Sequence, residues 1–289
     1  MPVIATRVIG GLFVAEIAVT GVTGNLGRIV IEDLFTRVGP AHLIAVARTP
    51  GKAADLTERG LEVRHGDYDD AGSLDRALAG VRTLLLVSSP DLAPGVRVAQ
   101  HRTVIAAAAR AGVRRLVYTS GIGAGDGQAF AGDHTATERA LGESGLSYTV
   151  LRNALYSEAF IGTALAQASR TGEVTSATEG RTLNTARLRD LALAASAALT
   201  GAEHDNATYE LRGPSWTYAD LTETLADVLG RPVAHREVTD AEAGWLGAVF
   251  PLVRAGALTG TGPDLERLLG RPATGLHDTV TALIERQAG

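Results

Sequence analysis

The chain has 289 residues, 45% of them hydrophobic, and a formal net charge of −5. That length supports one large core or two unequal lobes, and the mildly acidic balance gives no reason to expect nucleic acid as a partner. There is no cysteine, which removes disulfides, thiolate nucleophiles and zinc–thiolate sites, and only one lysine, Lys52, so any chemistry that needs a lysine must use it.

Residues 1–15 read as a leading extension. Its apolar run, Val8 to Val14, is closed by Glu16 and is too short to cross a bilayer. No later stretch is long and apolar enough, so no membrane partner is expected, and the expected location is cytoplasmic. From Glu16 onward, strand and helix patterns alternate. Strands are expected at 16–20, 42–47, 61–64, 83–87, 115–119 and 147–151. Helices are expected at 25–36, from Pro50 to near Gly60, and at 71–78, 96–111 and 133–143. Alternation with nearly continuous apolar strands predicts a parallel sheet covered by helices on both faces. After Arg152 the rhythm changes. Helices are expected at 189–199, 217–229, 240–249 and 276–287, with short strands near 209–211 and 233–238. This pattern predicts a smaller lobe over 153–289, following a first domain over 16–152.

Gly21-Val22-Thr23-Gly24-Asn25-Leu26-Gly27 lies between the first strand and its helix. Glycines there allow a tight turn and close approach to a pyrophosphate, and the helix N-terminus offers free amides and partial positive charge. The fold class is therefore α/β, a Rossmann-type doubly wound parallel sheet with a smaller C-terminal substrate lobe. The end of the second strand bears on cofactor choice. No acid lies between Ala41 and Gly51 to bind a ribose diol; Arg48 stands there, with Lys52 four residues on. An arginine fork suits a 2′-phosphate, so the expected cofactor is NADP(H). Asp67 and Tyr68 follow the third strand, on the expected adenine side. Ser88 and Ser89 end the fourth, above the dinucleotide path.

With these residues in place, the chain resembles the NmrA-like atypical short-chain dehydrogenases, and within them the NADPH-dependent quinone oxidoreductases. The resemblance rests on the glycine loop, Arg48, Gly66-Asp67-Tyr68, Leu86-Val87-Ser88-Ser89 and Gln100-His101-Arg102. It continues through Val117-Tyr118-Thr119-Ser120, Asp133 to Glu138, and Tyr148 to Asn153 with Tyr156, and reaches Leu268-Leu269-Gly270-Arg271-Pro272. Relatives often carry glycine and an aromatic after the asparagine, where this chain has Ala154 and Leu155. The resemblance implies reduction of a small-molecule acceptor, a quinone or a similar electron-poor compound. It places His134 at the nicotinamide ribose, and Asn153 and Tyr156 follow the sixth strand on the acceptor side.

Ordinary short-chain dehydrogenases use a Tyr-x-x-x-Lys pair, which this chain cannot form, because Arg48 lies four residues before its one lysine. The loss restricts the substrate. Reducing a simple ketone develops an alkoxide, whose conjugate acid is about as weak as bulk water. Reducing a quinone develops a phenolate-like anion, with a pKa nearer roughly 10 by analogy with tyrosine, and needs less help from a positioned acid. There is no Gly-x-Ser-x-Gly elbow or His-x-x-x-His pair, and no metal site is expected. Three readings stay open at this point: an NADPH-dependent reductase of quinones or related electron-poor acceptors, a non-catalytic NADP(H)-sensing protein that regulates a partner, and a reductase of another carbonyl or enone. The acceptor's identity and the oligomeric state are not readable from the residues.

Overall fold

The computed structural model describes residues 17–288. The expected extension over 1–15 and Glu16 lie outside them. In chain order the first part runs β1 (Ile17–Thr20), α1 (Asn25–Val38), β2 (Leu43–Ala47), α2 (Ala54–Glu58), β3 (Glu62–His65), α3 (Ala71–Ala77), β4 (Thr83–Leu86), α4 (Val96–Arg110), β5 (Arg115–Gly121), α5 (Gly132–Glu143) and β6 (Ser147–Asn153). The remainder runs β7 (Leu155–Tyr156), α6 (Ser157–Thr171), β8 (Glu173–Ser176), β9 (Leu183–Ala186), α7 (Leu188–Thr200), β10 (Ala207–Leu211), β11 (Ser215–Trp216), α8 (Tyr218–Leu229), β12 (Ala234–Glu237), α9 (Phe250–Arg254), α10 (Asp264–Leu269) and α11 (Leu276–Ala288).

Seven strands form one sheet in the order β10-β6-β5-β4-β1-β2-β3. Each neighbouring pair is parallel. The chain order reverses between β1 and β4, and the crevice outside the carboxyl ends of the strands at that point is where such sheets bind ligands. Central strands β1, β2 and β5 are almost wholly buried, which explains their largely apolar sequences. One face packs Val104, Ile105 and Ala108 of α4 with Leu74 of α3 and Leu141 of α5. The other face packs Val30, Ile31 and Leu34 of α1 with Leu191, Ala194 and Ala198 of α7. Alanine on α7 keeps that helix slim where it lies on α1 and the sheet.

The expected 16–152 and 153–289 segments are interleaved in space. The chain leaves the sheet after Asn153 and comes back: α7 covers one face, and β10 pairs with β6 from Ala207↔Thr149 to Leu211↔Asn153. One apolar cluster runs from Val19 and Leu26 through Phe160, Trp216, Leu225 and Phe250 without a break. The outer part holds a three-stranded sheet β11-β9-β7 and the β12-β8 pair. Helix α8 starts with a capping box in which Thr217 and Asp220 satisfy each other's amides.

Two expectations after Arg152 need correction. Residues 157–171 form a helix, α6, that the sequence reading omitted; Phe160, Ile161, Ala164, Leu165 and Ala168 are its buried stripe at helical spacing. The expected helix over 240–249 is instead a turn followed by a 3₁₀ segment, Gly244–Ala248. Gly244 sits at φ +63°, outside the α-helical region, and a Cβ at Gly247 would run into the Asp240 carbonyl.

Candidate cofactor and acceptor site

The glycine loop leaves β1 at the carboxyl edge of the sheet. Its turn is closed by the Gly24 amide donating to the Gly21 carbonyl at 2.9 Å. Helix α1 then begins at Asn25, with Gly24 as N-cap and no side chain capping its free amides. A Cβ on Gly27 would collide with the Gly21 carbonyl group, whose carbon lies 2.7 Å away, and would sit 3.0 Å from the Thr20 oxygen. Gly27 therefore lets the helix pack onto the turn. Val22 and Leu26 are buried under the loop, while Thr23, Gly24 and Asn25 are exposed above it. The result is a row of open amides at a helix N-terminus, the arrangement that receives an anion.

Strand β2 lies beside β1, with Thr20 opposite Val46, so Arg48 emerges next to the loop. Arg48 and Lys52 are both exposed. Neither takes part in an ion pair among the described residues. The other predicted polar groups are partly committed to the fold. Asp67 Oδ1 accepts from the Asp69 amide, and the Asp67 amide donates to Ser73. The Tyr68 hydroxyl donates to the Val87 carbonyl at 2.8 Å and meets Thr20 Oγ1 at 2.5 Å. Burial raises the pKa of that hydroxyl, so it stays protonated. Tyr68 thus ties β1 to the end of β4 and has its ring, rather than its hydroxyl, to offer a ligand. The Ser88 amide donates to Thr119 Oγ1 at 2.8 Å. Ser89 is used more fully: its amide donates to His101 Nε2 at 2.9 Å, its hydroxyl to Gln100, and its carbonyl accepts from Arg97 Nε.

At the ends of β5 and β6, Gly121 is paired with Asn153. The His134 ring, from the first turn of α5, lies over Gly121, and its Nδ1 is 2.7 Å from the buried Tyr118 hydroxyl. Burial first, and then the nearby Arg97 cation, push the His134 pKa down to about 4. His134 is therefore a neutral imidazole near pH 7. Asn153 is 8% exposed, and its Oδ1 is buried without a hydrogen-bond partner among the described residues. An orphaned buried acceptor costs free energy unless something meets it, so it marks a place where a ligand donor fits. Tyr156, on β7, is 40% exposed.

The fold thus brings the glycine loop, Arg48, Lys52, Ser88, Ser89, His134 and Asn153 to one edge of one sheet, with Tyr156 just beyond Asn153. Several residues there carried no assigned role in the sequence reading. Tyr118, His101 and Gln100 form the polar scaffold behind His134 and Ser89. Glu138 accepts from Ser120 at 2.5 Å and from two nitrogens of Arg152, at 3.1 and 2.8 Å. Arg152 reaches on to Glu210, which also holds Arg212. A signal for His101 was present: it shares one helical stripe with the buried Val104, Ile105 and Ala108, an unusual place for an imidazole. Among the described residues no cluster of ligands fits a metal, and no helix is long and apolar enough to cross a membrane.

The chain is similar to known proteins over most of its length. A family model described as NAD(P)H-binding matches residues 21–202. Quinone oxidoreductase 2 of Escherichia coli K12 is 36% identical over 283 residues, covering 92% of this chain and 98% of that protein. The NADP(H) complex of Citrobacter sp. triphenylmethane reductase superposes with a TM-score of 0.88 at 36% identity, over 93% of this chain and 99% of that one. The NADPH complex of the Escherichia coli NADPH-dependent quinone oxidoreductase gives 0.85 at 35% identity, over 93% and 100%.

Proposed function

The chain belongs to the NAD(P)H-binding family, among the NmrA-like reductases, and from that membership we propose an NADPH-dependent oxidoreductase that reduces quinones and related electron-poor acceptors. The observation that carries this reading is a convergence at one sheet edge. An uncapped helix N-terminus stands behind a glycine that tolerates no Cβ, and opposite it lie a neutral imidazole and an orphaned amide oxygen. These features fit a dinucleotide with a planar acceptor beside it.

In this reading the amides of Gly21 to Gly27, with Thr23, Asn25 and Leu26 shaping the turn, hold the pyrophosphate. Arg48 and Lys52 hold the 2′-phosphate. Asp67 and the Tyr68 ring border the adenine, while Ser88 and Ser89 wall the path toward the nicotinamide. His134 supports the nicotinamide ribose. Asn153 and Tyr156 line the acceptor side, so residues 16–152 supply most cofactor contacts and 153–289 shape the acceptor pocket. A cytoplasmic site of action and a small-molecule partner complete the proposal.

NADPH, when bound, supplies the hydride. The protein's task is to hold donor and acceptor in contact and exclude water between them. A neutral His134 with its pKa near 4 is not a general acid at neutral pH. That suits a quinone, which after hydride transfer is a phenolate-like anion and takes the one proton it needs from solvent. It does not suit a simple ketone.

The test is direct. Purified protein, without added metal or flavin, should oxidise NADPH when a small quinone is supplied, and much faster than with an unactivated ketone. Asn153→Ala and Tyr156→Phe should lower quinone turnover and leave NADPH binding largely intact. Tight NADPH binding without turnover across a varied quinone panel would replace this reading with the sensor. Equal rates on ketones would refute the argument from the missing tyrosine–lysine pair.

A further inference from the structure

We propose that Tyr118 and His101 are positioning residues that, through one-way hydrogen bonds starting at the Ser89 backbone amide, fix His134 as the tautomer with its proton on Nε2. The argument follows the protons. A backbone amide can only donate, so His101 Nε2, 2.9 Å from the Ser89 nitrogen, must be a bare acceptor. His101 is fully buried and neutral, its pKa pushed down to about 3 by burial and then by His134 and Arg97. A neutral imidazole with bare Nε2 carries its proton on Nδ1. That proton goes to Thr137 Oγ1 at 2.9 Å, whose own hydrogen is given to the Asp133 carbonyl at 2.8 Å.

Tyr118 stands between the two histidines. Its hydroxyl is 3.5 Å from His101 Nδ1 and 2.7 Å from His134 Nδ1. The first nitrogen already holds a proton and cannot accept. The buried phenol, kept protonated by desolvation, therefore donates to His134 Nδ1. His134 Nδ1 is then the bare nitrogen and Nε2 carries the hydrogen. Nε2 lies over Gly121, 3.3 Å from where a Cβ would stand, and has no partner among the described residues. The charged and titratable groups around His134 are Arg97 and His101 from α4, Asp133 and Glu138 from α5, and Tyr118 from β5.

The consequence is a hydrogen-bond donor of fixed direction at the cofactor edge. A freely rotating surface histidine would present donor and acceptor forms in turn. Here the imidazole can give a hydrogen bond to a ribose or acceptor oxygen without first choosing a tautomer. The kinetic part of this inference rests on the reductase reading; the tautomer itself does not.

The experiment is ¹⁵N NMR of the histidine rings in the whole protein, free and with NADPH, for wild type and Tyr118→Phe. Wild-type His134 should show a bare Nδ1 and a protonated Nε2, and His101 the reverse. Tyr118→Phe keeps the buried ring and removes only the hydroxyl. It should leave His134 a mixture of tautomers, with its pKa still held down by burial. It should also lower kcat for quinone about fivefold to tenfold with little change in quinone KM. A proton on wild-type His134 Nδ1, or a His134 tautomer unmoved in Tyr118→Phe, would overturn the proposal. Absence of quinone turnover in the wild type would instead strike the reductase reading, with the ring spectra still deciding this one.

Discussion

The ends of β1 and β6 reach the same edge of the sheet by opposite means. At β1 the protein presents backbone: a glycine turn and the open amides of α1, with side chains kept out by Gly27. At β6 it presents side chains, in surroundings held together by residues from distant segments. Asn153 sits beside Arg152, which is locked to Glu138 of α5 and Glu210 of β10. His134 is aligned by Tyr118, and the adjoining loop after β4 by His101. A backbone site tolerates most changes except those that add atoms. A side-chain site fails when any supporting partner is removed.

The largest expected effect is therefore on the β6 side. Arg152→Ala leaves Glu138 without its cation, while Glu210 keeps Arg212, and removing one member of a buried pair costs about 3–5 kcal/mol. The Arg152 and Glu138 side chains are 19% and 14% exposed, so solvent compensates little. Urea unfolding should show that loss; a shift below about 1 kcal/mol would mean that the network is ornamental.

At β1 the corresponding break is an added methyl group. Gly27→Ala places its Cβ against the Gly21 carbonyl, which is backbone and cannot rotate away. Overpacking of this kind costs about 1–3 kcal/mol, and NADPH affinity should fall by roughly 100-fold. Gly24→Ala is the control: its Cβ would sit 3.4 Å from the same oxygen, so affinity should change only by roughly threefold. Equal losses from the two substitutions, in a fluorescence titration of NADPH, would contradict the close-approach account.

Arg48→Ala separates charge from backbone in the same half of the site. A charge-assisted hydrogen bond contributes about 1.5–3 kcal/mol, so NADPH should bind roughly 10- to 100-fold more weakly while NADH is nearly unchanged. Parallel titrations showing the same loss for both dinucleotides would remove Arg48 from the 2′-phosphate.

The smallest effect concerns pH. His101 is neutral in the folded protein, with a pKa near 3, whereas an unfolded histidine titrates near 6.5. Below pH 6.5 the unfolded chain takes up a proton that folded His101 refuses. The stability present at pH 7.5 is therefore lost as pH falls from 6.5 toward 3, by up to about 1.4 kcal/mol per unit. Urea midpoints at pH 7.5 and 5.0 should differ accordingly, and His101→Gln should shrink the difference to the part that His134, also held neutral by burial, contributes; an identical drop in the variant would show that other groups cause it.

The same contrast explains what was readable in advance. Sheet strands β1 to β6 and helices α1 to α5 are written as local periodicity with glycine and proline stops, and their expected positions lie within a few residues of the observed ones. Beyond Asn153 the reading weakened. Helix α6 was missed although its buried stripe is regular, because Gly162 and several threonines and serines dilute it. The run 240–249 looked helical, and its two glycines decided otherwise. The return of β10 to the sheet edge had no local sign, since pairing with β6 joins residues more than fifty positions apart.

The sequence by itself determined the glycine loop after the first strand, the arginine after the second, the absence of a tyrosine–lysine pair and the alternating strands of a parallel sheet. Each follows from short-range backbone geometry or from which side chains exist at all. Tertiary structure alone decided that Tyr68 and Ser89 are bound into the scaffold, that Asn153 keeps an unmet buried oxygen, and that one backbone amide can set the protons on two histidines. Those properties depend on burial and on hydrogen-bond direction between segments distant in the chain. Neither quantity exists until the chain has folded.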